Sequence, residues 1–222
     1  MSFWRKVGAI LWKDLVCESR SKDMSTSMLV FSLMVVAIFN FAFELRVENV
    51  ASVAPGVLWV TICFTGVLGL NRSLVLEKDR GCLEGLLLCP VDRSAIYLGK
   101  MLGNLLFILA TEIVVLPVFA VLFNLPLVTP EMLVIVALGT LGFAAVGTLF
   151  AAIAVNTRTR EVMLPVLLLP VIVPLVIAAV KSTESLLVPT GMAEAPWVAL
   201  LAAFAAIFLV VATLTFEYVV EE

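Results

Sequence analysis

The 222-residue sequence contains no histidine. That removes every mechanism that depends on an imidazole within this chain, including a Ser-His dyad, His-ligated zinc or iron, and two-His haem ligation. No glycine-rich run ends in Gly-Lys-Ser or Gly-Lys-Thr. The phosphates of ATP therefore have no P-loop to sit in, and any ATP-driven work requires a second chain. The four cysteines, Cys17, Cys63, Cys82 and Cys89, form no Cys-x-x-Cys pair, and read as free thiols rather than a metal site. Charge is scarce as well, at 14% of residues against about 25% in a soluble domain. That scarcity, with 63% hydrophobic residues, excludes disorder, nucleic-acid binding and a secreted soluble fold.

What is present is apolar sequence spread over the whole length, with a mean hydropathy of +1.17. Six stretches approach the length that crosses a bilayer: 26–43, 51–70, 96–123, 132–155, 162–180 and 195–219. The third is long enough to span with tilt or to begin as an interfacial helix. The fold expected is an all-α integral membrane protein with six transmembrane helices, forming one membrane domain over 1–222.

Basic residues are retained on the cytoplasmic side of a membrane protein. Arg5, Lys6, Lys13, Arg20 and Lys22 precede the first stretch; Arg72, Lys78, Arg80, Arg93 and Lys100 lie between the second and third; Arg158 and Arg160 follow the fourth. The opposite side holds Arg46 and Lys181, so 12 of 14 basic residues share one side if there are six spans. Both termini are then cytoplasmic. A five-span count would break this alternation. The long basic leader, with no small-residue cleavage pattern after the first stretch, favours a retained helix over a signal peptide. The opposite-side loops are too short for a folded external domain.

The leader, residues 1–25, places Phe3, Trp4, Val7, Ile10, Leu11 and Leu15 at helical spacing, with Arg5, Lys6, Lys13 and Asp14 set mostly apart. This is the pattern of an amphipathic helix on the membrane surface. Such a helix either anchors the first span or packs beside a moving cytoplasmic element.

Residues 71–95 carry the longest charged stretch between two spans. Leu83, Leu86 and Leu87 alternate with Glu77, Asp79, Arg80 and Glu84, while Gly81, Gly85 and Pro90 interrupt the run. A short amphipathic helix of this kind can dock in a groove of a soluble partner, or can be a surface helix with solvated charges. Glu112 is the acidic residue near the middle of a span. Burying it ionised costs about 2.5 to 3.5 kcal/mol on insertion scales, so it faces the bundle, protonated or partnered. It is either a gate, proton carrier or path lining, or a carboxyl hydrogen-bonded to a hydroxyl or amide on a neighbouring helix. Pro117, Pro165, Pro170 and Pro174 lie inside spans and invite kinks. Gly99 with Gly103, and Gly139, Gly142, Ala144 and Gly147, suit close helix contacts. Glu217, Glu221 and Glu222 form an acidic end that reads as a solvated tail.

Taken together, Ala54-Pro55-Gly56-Val57-Leu58-Trp59-Val60, Gly69-Leu70-Asn71-Arg72, the 83–100 run, Ala154-Val155-Asn156-Thr157-Arg158 and Leu164-Pro165-Val166-Leu167-Leu168-Leu169-Pro170 closely resemble the cytochrome c maturation B family over nearly the whole chain. These are permease subunits, also called haem exporter protein B, that partner a separate ABC ATPase. The resemblance implies an ABC-2-like permease of the bacterial inner membrane. It also implies association with the maturation A ATPase and the maturation C and D membrane subunits, and indirectly with the periplasmic haem chaperone E. Two copies per complex are implied. ATP would be bound by the partner, haem would be a cargo rather than a resident cofactor, and this chain would have no catalytic or metal site. By the same resemblance Glu77, Asp79, Arg80, Leu83, Glu84 and Leu87 form the coupling surface for the ATPase. Cys82 and Cys89 depart from the small or polar residues expected there. The competing readings are an autonomous proton-coupled carrier using Glu112 and a non-transporting membrane scaffold.

Overall fold

The computed structural model describes residues 3–44, 50–79, 82, 85–86, 91–155, 157, 160–187 and 196–219. Among these are seven helices: α1 Phe3–Ser21, α2 Asp23–Glu44, α3 Val50–Asp79, α4 Arg93–Phe123, α5 Pro130–Ala154, α6 Arg160–Leu187 and α7 Trp197–Val219. Six of them, α2 to α7, contain windows long and apolar enough to cross a membrane.

The helix ends follow local chemistry. Thr129 caps α5, its Oγ1 accepting from the Met132 backbone N–H at 3.2 Å, with Pro130 in the first turn and Glu131 beside the positive end of the helix dipole. Asn124 ends α4 in the left-handed region at φ 51°, where asparagine is tolerated better than branched residues. Between α1 and α2 the chain turns through Lys22, also left-handed at φ 56°. Glu18 secures this elbow. Its Oε1 accepts from the Ser25 backbone N–H at 2.7 Å and from Ser25 Oγ at 2.8 Å, satisfying a donor in the first turn of α2.

Cross-helix contacts order the bundle. Asn40 donates to Leu122 O at 2.8 Å, joining the C-terminal ends of α2 and α4. Trp59 Nε1 donates to Thr183 Oγ1 at 3.0 Å, joining the start of α3 to the end of α6. At the other end Lys78 Nζ reaches Val155 O at 2.9 Å and Arg93 Nη1 reaches Glu217 O at 3.3 Å. The termini of α3, α4, α5 and α7 that carry Lys78, Arg93, Val155 and Glu217 thus meet at the end of the bundle where α1 also lies.

Helix α5 packs against α3, α4, α6 and α7. Small residues allow this. A Cβ at Gly139 would collide with the buried Trp59 ring, one at Gly147 with Leu70, and one at Gly142 with Leu175. The small-residue face of α5 is therefore used for close contacts inside the chain. Trp59 and Tyr97 are fully buried against it, as is its own Phe143. The outward faces of α2, α4 and α7 show Ile38, Phe41, Ile113, Val121, Ile207 and Leu214, which matches a surface solvated by lipid tails.

Helix α6 runs on to Leu187, so Lys181, read from the sequence as a loop residue, lies within a helix. It pairs with Glu184 at 2.8 Å, one turn away. Helix α3 continues to Asp79, well past the end of its apolar stretch. Both extensions have one cause: hydropathy marks where the apolar solvent ends, whereas backbone hydrogen bonds continue through charged residues.

Candidate functional site

At the α1 end, α1 lies across α4. Val7 and Ile10 are buried there, and Gly99 of α4 makes the crossing possible: a Cβ on it would stand 2.9 Å from Ile10 Cβ and 3.3 Å from Val7 O. One turn on, Gly103 faces Asp14 and Leu11. Asp14, set apart from the apolar stripe in the sequence reading, belongs to the packed face. It falls seven residues after Val7 and four after Ile10, a spacing that repeats on one side of a helix. Lys100, only 2% exposed, meets its carboxylate at 2.8 and 3.1 Å. Lys13 lies 3.1 Å from Asp14 Oδ1. A second contact, Lys6 to Asp92 at 3.3 Å, joins α1 to the residue immediately before α4. The leader is tied both to the first span, through Glu18 and Ser25, and to α4, itself one of the apolar helices of spanning length. Trp4 and Trp12, each about 70% exposed, lie on the side away from α4.

A cleft of about 130 Å³ opens beside this crossing, lined by Asp14, Cys17, Glu18, Asp23, Cys82 and Lys100 among others. Its charges are matched within the chain: Asp14 by lysines, Glu18 by Ser21 and Ser25, Asp23 by Arg72 at 3.7 Å.

The proposed coupling residues lie at the edge of this region. Glu77 and Asp79 are in the last turns of α3, their side chains outside the described residues. Arg80, Leu83, Glu84 and Leu87 also lie outside the described residues. What the structure supplies is the frame around them: Lys78 fixes the end of α3 to the end of α5, and Asp92 fixes the start of α4 to α1.

Deep in the bundle, Glu112 is 4% exposed. Thr140 Oγ1 of α5 donates to Glu112 Oε1 at 2.6 Å. Among the described residues Glu112 Oε2 has no hydrogen-bond partner, and neither does the buried Thr65 Oγ1. A small cavity of about 10 Å³ is lined by Ser32 of α2, Thr61 and Thr65 of α3, and Thr111 and Glu112 of α4. The hydroxyl expected on a neighbouring helix is thus Thr140. Nothing in the sequence pairs it with a residue 28 positions earlier. Asn104 Nδ2 to Thr148 Oγ1 at 3.0 Å and Tyr97 OH to Ala145 O at 2.9 Å add two more polar ties between α4 and α5. The sequence reading singled out neither.

Pro117 lies inside α4, and Pro165, Pro170 and Pro174 lie inside α6; each helix continues across them. Pro55 is likewise inside α3. Among the described residues no group of three or more Cys, Asp or Glu side chains is placed to hold a metal ion.

A bundle of six apolar helices of spanning length, with a surface-lying N-terminal helix and an intramembrane polar cluster, defines a multi-pass membrane protein. The model of one family, the CcmB protein, matches residues 5–222. The chain belongs to that family. It is 31% identical over 172 residues to Heme exporter protein B of Rhodobacter capsulatus, covering 76% of this chain and 78% of that one. Heme exporter protein B of Paracoccus denitrificans is 28% identical, with 79% of this chain and 81% of the relative covered. The Bradyrhizobium diazoefficiens protein of the same name is 24% identical, with 86% of each chain covered.

Proposed function

We propose that the chain is the membrane permease subunit of an ABC-type complex for cytochrome c maturation. In this reading a partner subunit hydrolyses ATP. The membrane subunit couples that hydrolysis to haem delivery, or to release of the haem-loaded periplasmic chaperone. The observation that carries the reading is the family match along nearly the whole chain, with relatives that bear the name Heme exporter protein B. Haem is then cargo, ATP is bound by the maturation A ATPase, and this chain is non-catalytic. The maturation C and D subunits complete the membrane assembly, the chaperone E acts indirectly, and two copies of the chain give each ATPase a docking element. The location is the bacterial inner membrane, with both termini cytoplasmic, a reading supported by the 12 of 14 basic residues that share one side if the spans number six.

Coupling needs a rigid route from a soluble ATPase into the spans, because force passes through packed elements with two discrete arrangements. The 71–95 segment is the docking surface in this reading, through Glu77, Asp79, Arg80, Leu83, Glu84 and Leu87. Its two ends are held by Lys78 to α5 and by Asp92 to α1, and α1 in turn grips α4 through Asp14 and Lys100. Displacement of the segment would thus be shared among α3, α4 and α5. The four helix-interior prolines of α4 and α6 are the proposed points of bending.

A strain lacking its own copy, supplied with this chain and the partner subunits, tests the reading through yield of holocytochrome c. An ATPase-inactive partner is expected to abolish maturation while leaving the complex assembled. Normal maturation with that partner would instead favour a non-transporting scaffold. The burial of Glu112 favours one further reading, an autonomous proton-coupled carrier, which requires transport by the chain alone without ATP.

A further inference from the structure

The surroundings of Glu112 form a hydrogen-bond ledger that does not close. Ser32 Oγ donates to Leu29 O at 2.9 Å, Thr61 Oγ1 to Val57 O at 2.8 Å and Thr111 Oγ1 to Phe107 O at 3.0 Å. Thr140 donates to Glu112 Oε1. A hydroxyl has one proton to give, so these four groups retain only lone pairs. Of the three buried atoms left unmatched among the described residues, Ser182 Oγ does not line this cavity, whereas Glu112 Oε2 and Thr65 Oγ1 belong to residues that both line it. At about 10 Å³ it is near the smallest space that accepts one water-sized species. Buried polar groups in native proteins almost always find a partner.

The chemistry of the partner follows from the same inventory. The residues around the cavity offer oxygen acceptors in excess and no Lys or Arg. A carboxylate left ionised there would lack a counter-charge in the membrane interior. A divalent ion is a poor fit, because Ca²⁺ takes six to eight oxygens and Mg²⁺ a near-ideal octahedron, both usually with more than one carboxylate or with several waters. One carboxylate among neutral hydroxyls balances one positive charge.

We propose that Glu112, Thr65 and Thr140 form a monovalent-cation site in the membrane interior, occupied by a proton carried on Glu112 and shared with Thr65, or by Na⁺ held by Glu112 and the surrounding hydroxyls. The site joins α3, α4 and α5, so its occupancy biases how these three helices pack. Binding is independent of whether an ATPase drives the chain or the chain moves cargo alone. Among the described residues, α3 contributes Cys63, a titratable group that interacts electrostatically with Glu112. The side chains that α2 and α5 contribute beside Glu112, Ser32 and Thr140, are neutral hydroxyls.

The test uses the purified full chain in lipid nanodiscs and reads binding rather than transport. Infrared difference spectra are recorded from about pH 5 to about pH 9, a range that covers buried carboxyls. Thermal unfolding is followed in NaCl and in choline chloride at equal ionic strength. The proton arm predicts a carboxylic C=O band that titrates across this range, is absent in Glu112→Gln and is displaced in Thr65→Val. It must persist in Cys63→Ser. The sodium arm predicts a Tm several degrees higher in NaCl, with the difference lost in both Glu112→Gln and Thr65→Val. A wild-type chain with equal Tm in the two salts and no pH-dependent Glu112 band overturns the proposal. So does a sodium effect that survives both substitutions. If Glu112→Gln fails to fold, Thr65→Val carries the assignment, and the negative wild-type result overturns the proposal without either variant.

Discussion

Lys100 Nζ lies 2.8 Å from Asp14 Oδ2, with the two side chains 3% and 12% exposed, so α1 is joined to the start of α4 by a buried ion pair. Asp14 also has Lys13 at 3.1 Å. Breaking one side of a buried pair costs about 3 kcal/mol or more. Asp14→Asn and Lys100→Met are each expected to lower Tm, and Asp14→Leu combined with Lys100→Met to recover much of the loss. Thermal unfolding of the three variants in one detergent checks this, and a double variant no more stable than the worse single one contradicts it.

The crossing of α1 over α4 has a steric test. Gly99→Leu places side-chain atoms where Ile10 and the Val7 carbonyl already stand, and overpacking of this kind costs about 1 to 3 kcal/mol. The expected outcome is release of α1, seen as faster proteolysis within residues 3–21 while the six apolar helices remain protected. Gly8 on α1 has nothing within 4 Å of its added Cβ. Gly8→Ala is accordingly expected to leave protection unchanged or to raise it slightly, since alanine is the better helix former.

At the opposite end, Trp59 is held between Gly139 and Thr183. Gly139→Ala forces a methyl group against the Trp59 ring, and Trp59→Phe removes both ring volume and the hydrogen bond to Thr183 Oγ1. Each change alone is expected to lower Tm. The double variant is expected to lose less than the sum, because the smaller ring makes room for the methyl group. A double-mutant cycle measures the coupling, and strict additivity would show that the two residues do not share that space.

The apolar helices were legible because hydropathy reads solvent directly: each stretch is uniformly apolar, and lipid admits only fully hydrogen-bonded backbone. The N-terminal helix was legible from the spacing of Phe3, Val7, Ile10 and Leu11. Asp14 was misread because a charged residue beside an apolar stripe is usually solvated, and only its partner Lys100, 86 residues away, shows otherwise. Lys181 was placed outside its helix for the converse reason, since a charge ends an apolar window without ending the backbone ladder. Glu112 was legible as a costly residue in need of a neighbour. Thr140 was not, because threonine is common in apolar helices and nothing local marks which helix it will face. The 71–95 coupling surface rests on charge alternation and family resemblance, and its side chains are largely beyond the described residues.

The central claim is that an ATPase subunit acts on the membrane helices through the segment between α3 and α4. Its most direct test is copurification of the full chain with the matching nucleotide-binding subunit, together with the ATPase rate of the complex. Wild type is compared with a Glu77→Lys/Glu84→Lys variant that inserts normally. The account predicts loss of association or of regulated hydrolysis in the variant. Unchanged binding and unchanged hydrolysis would contradict it.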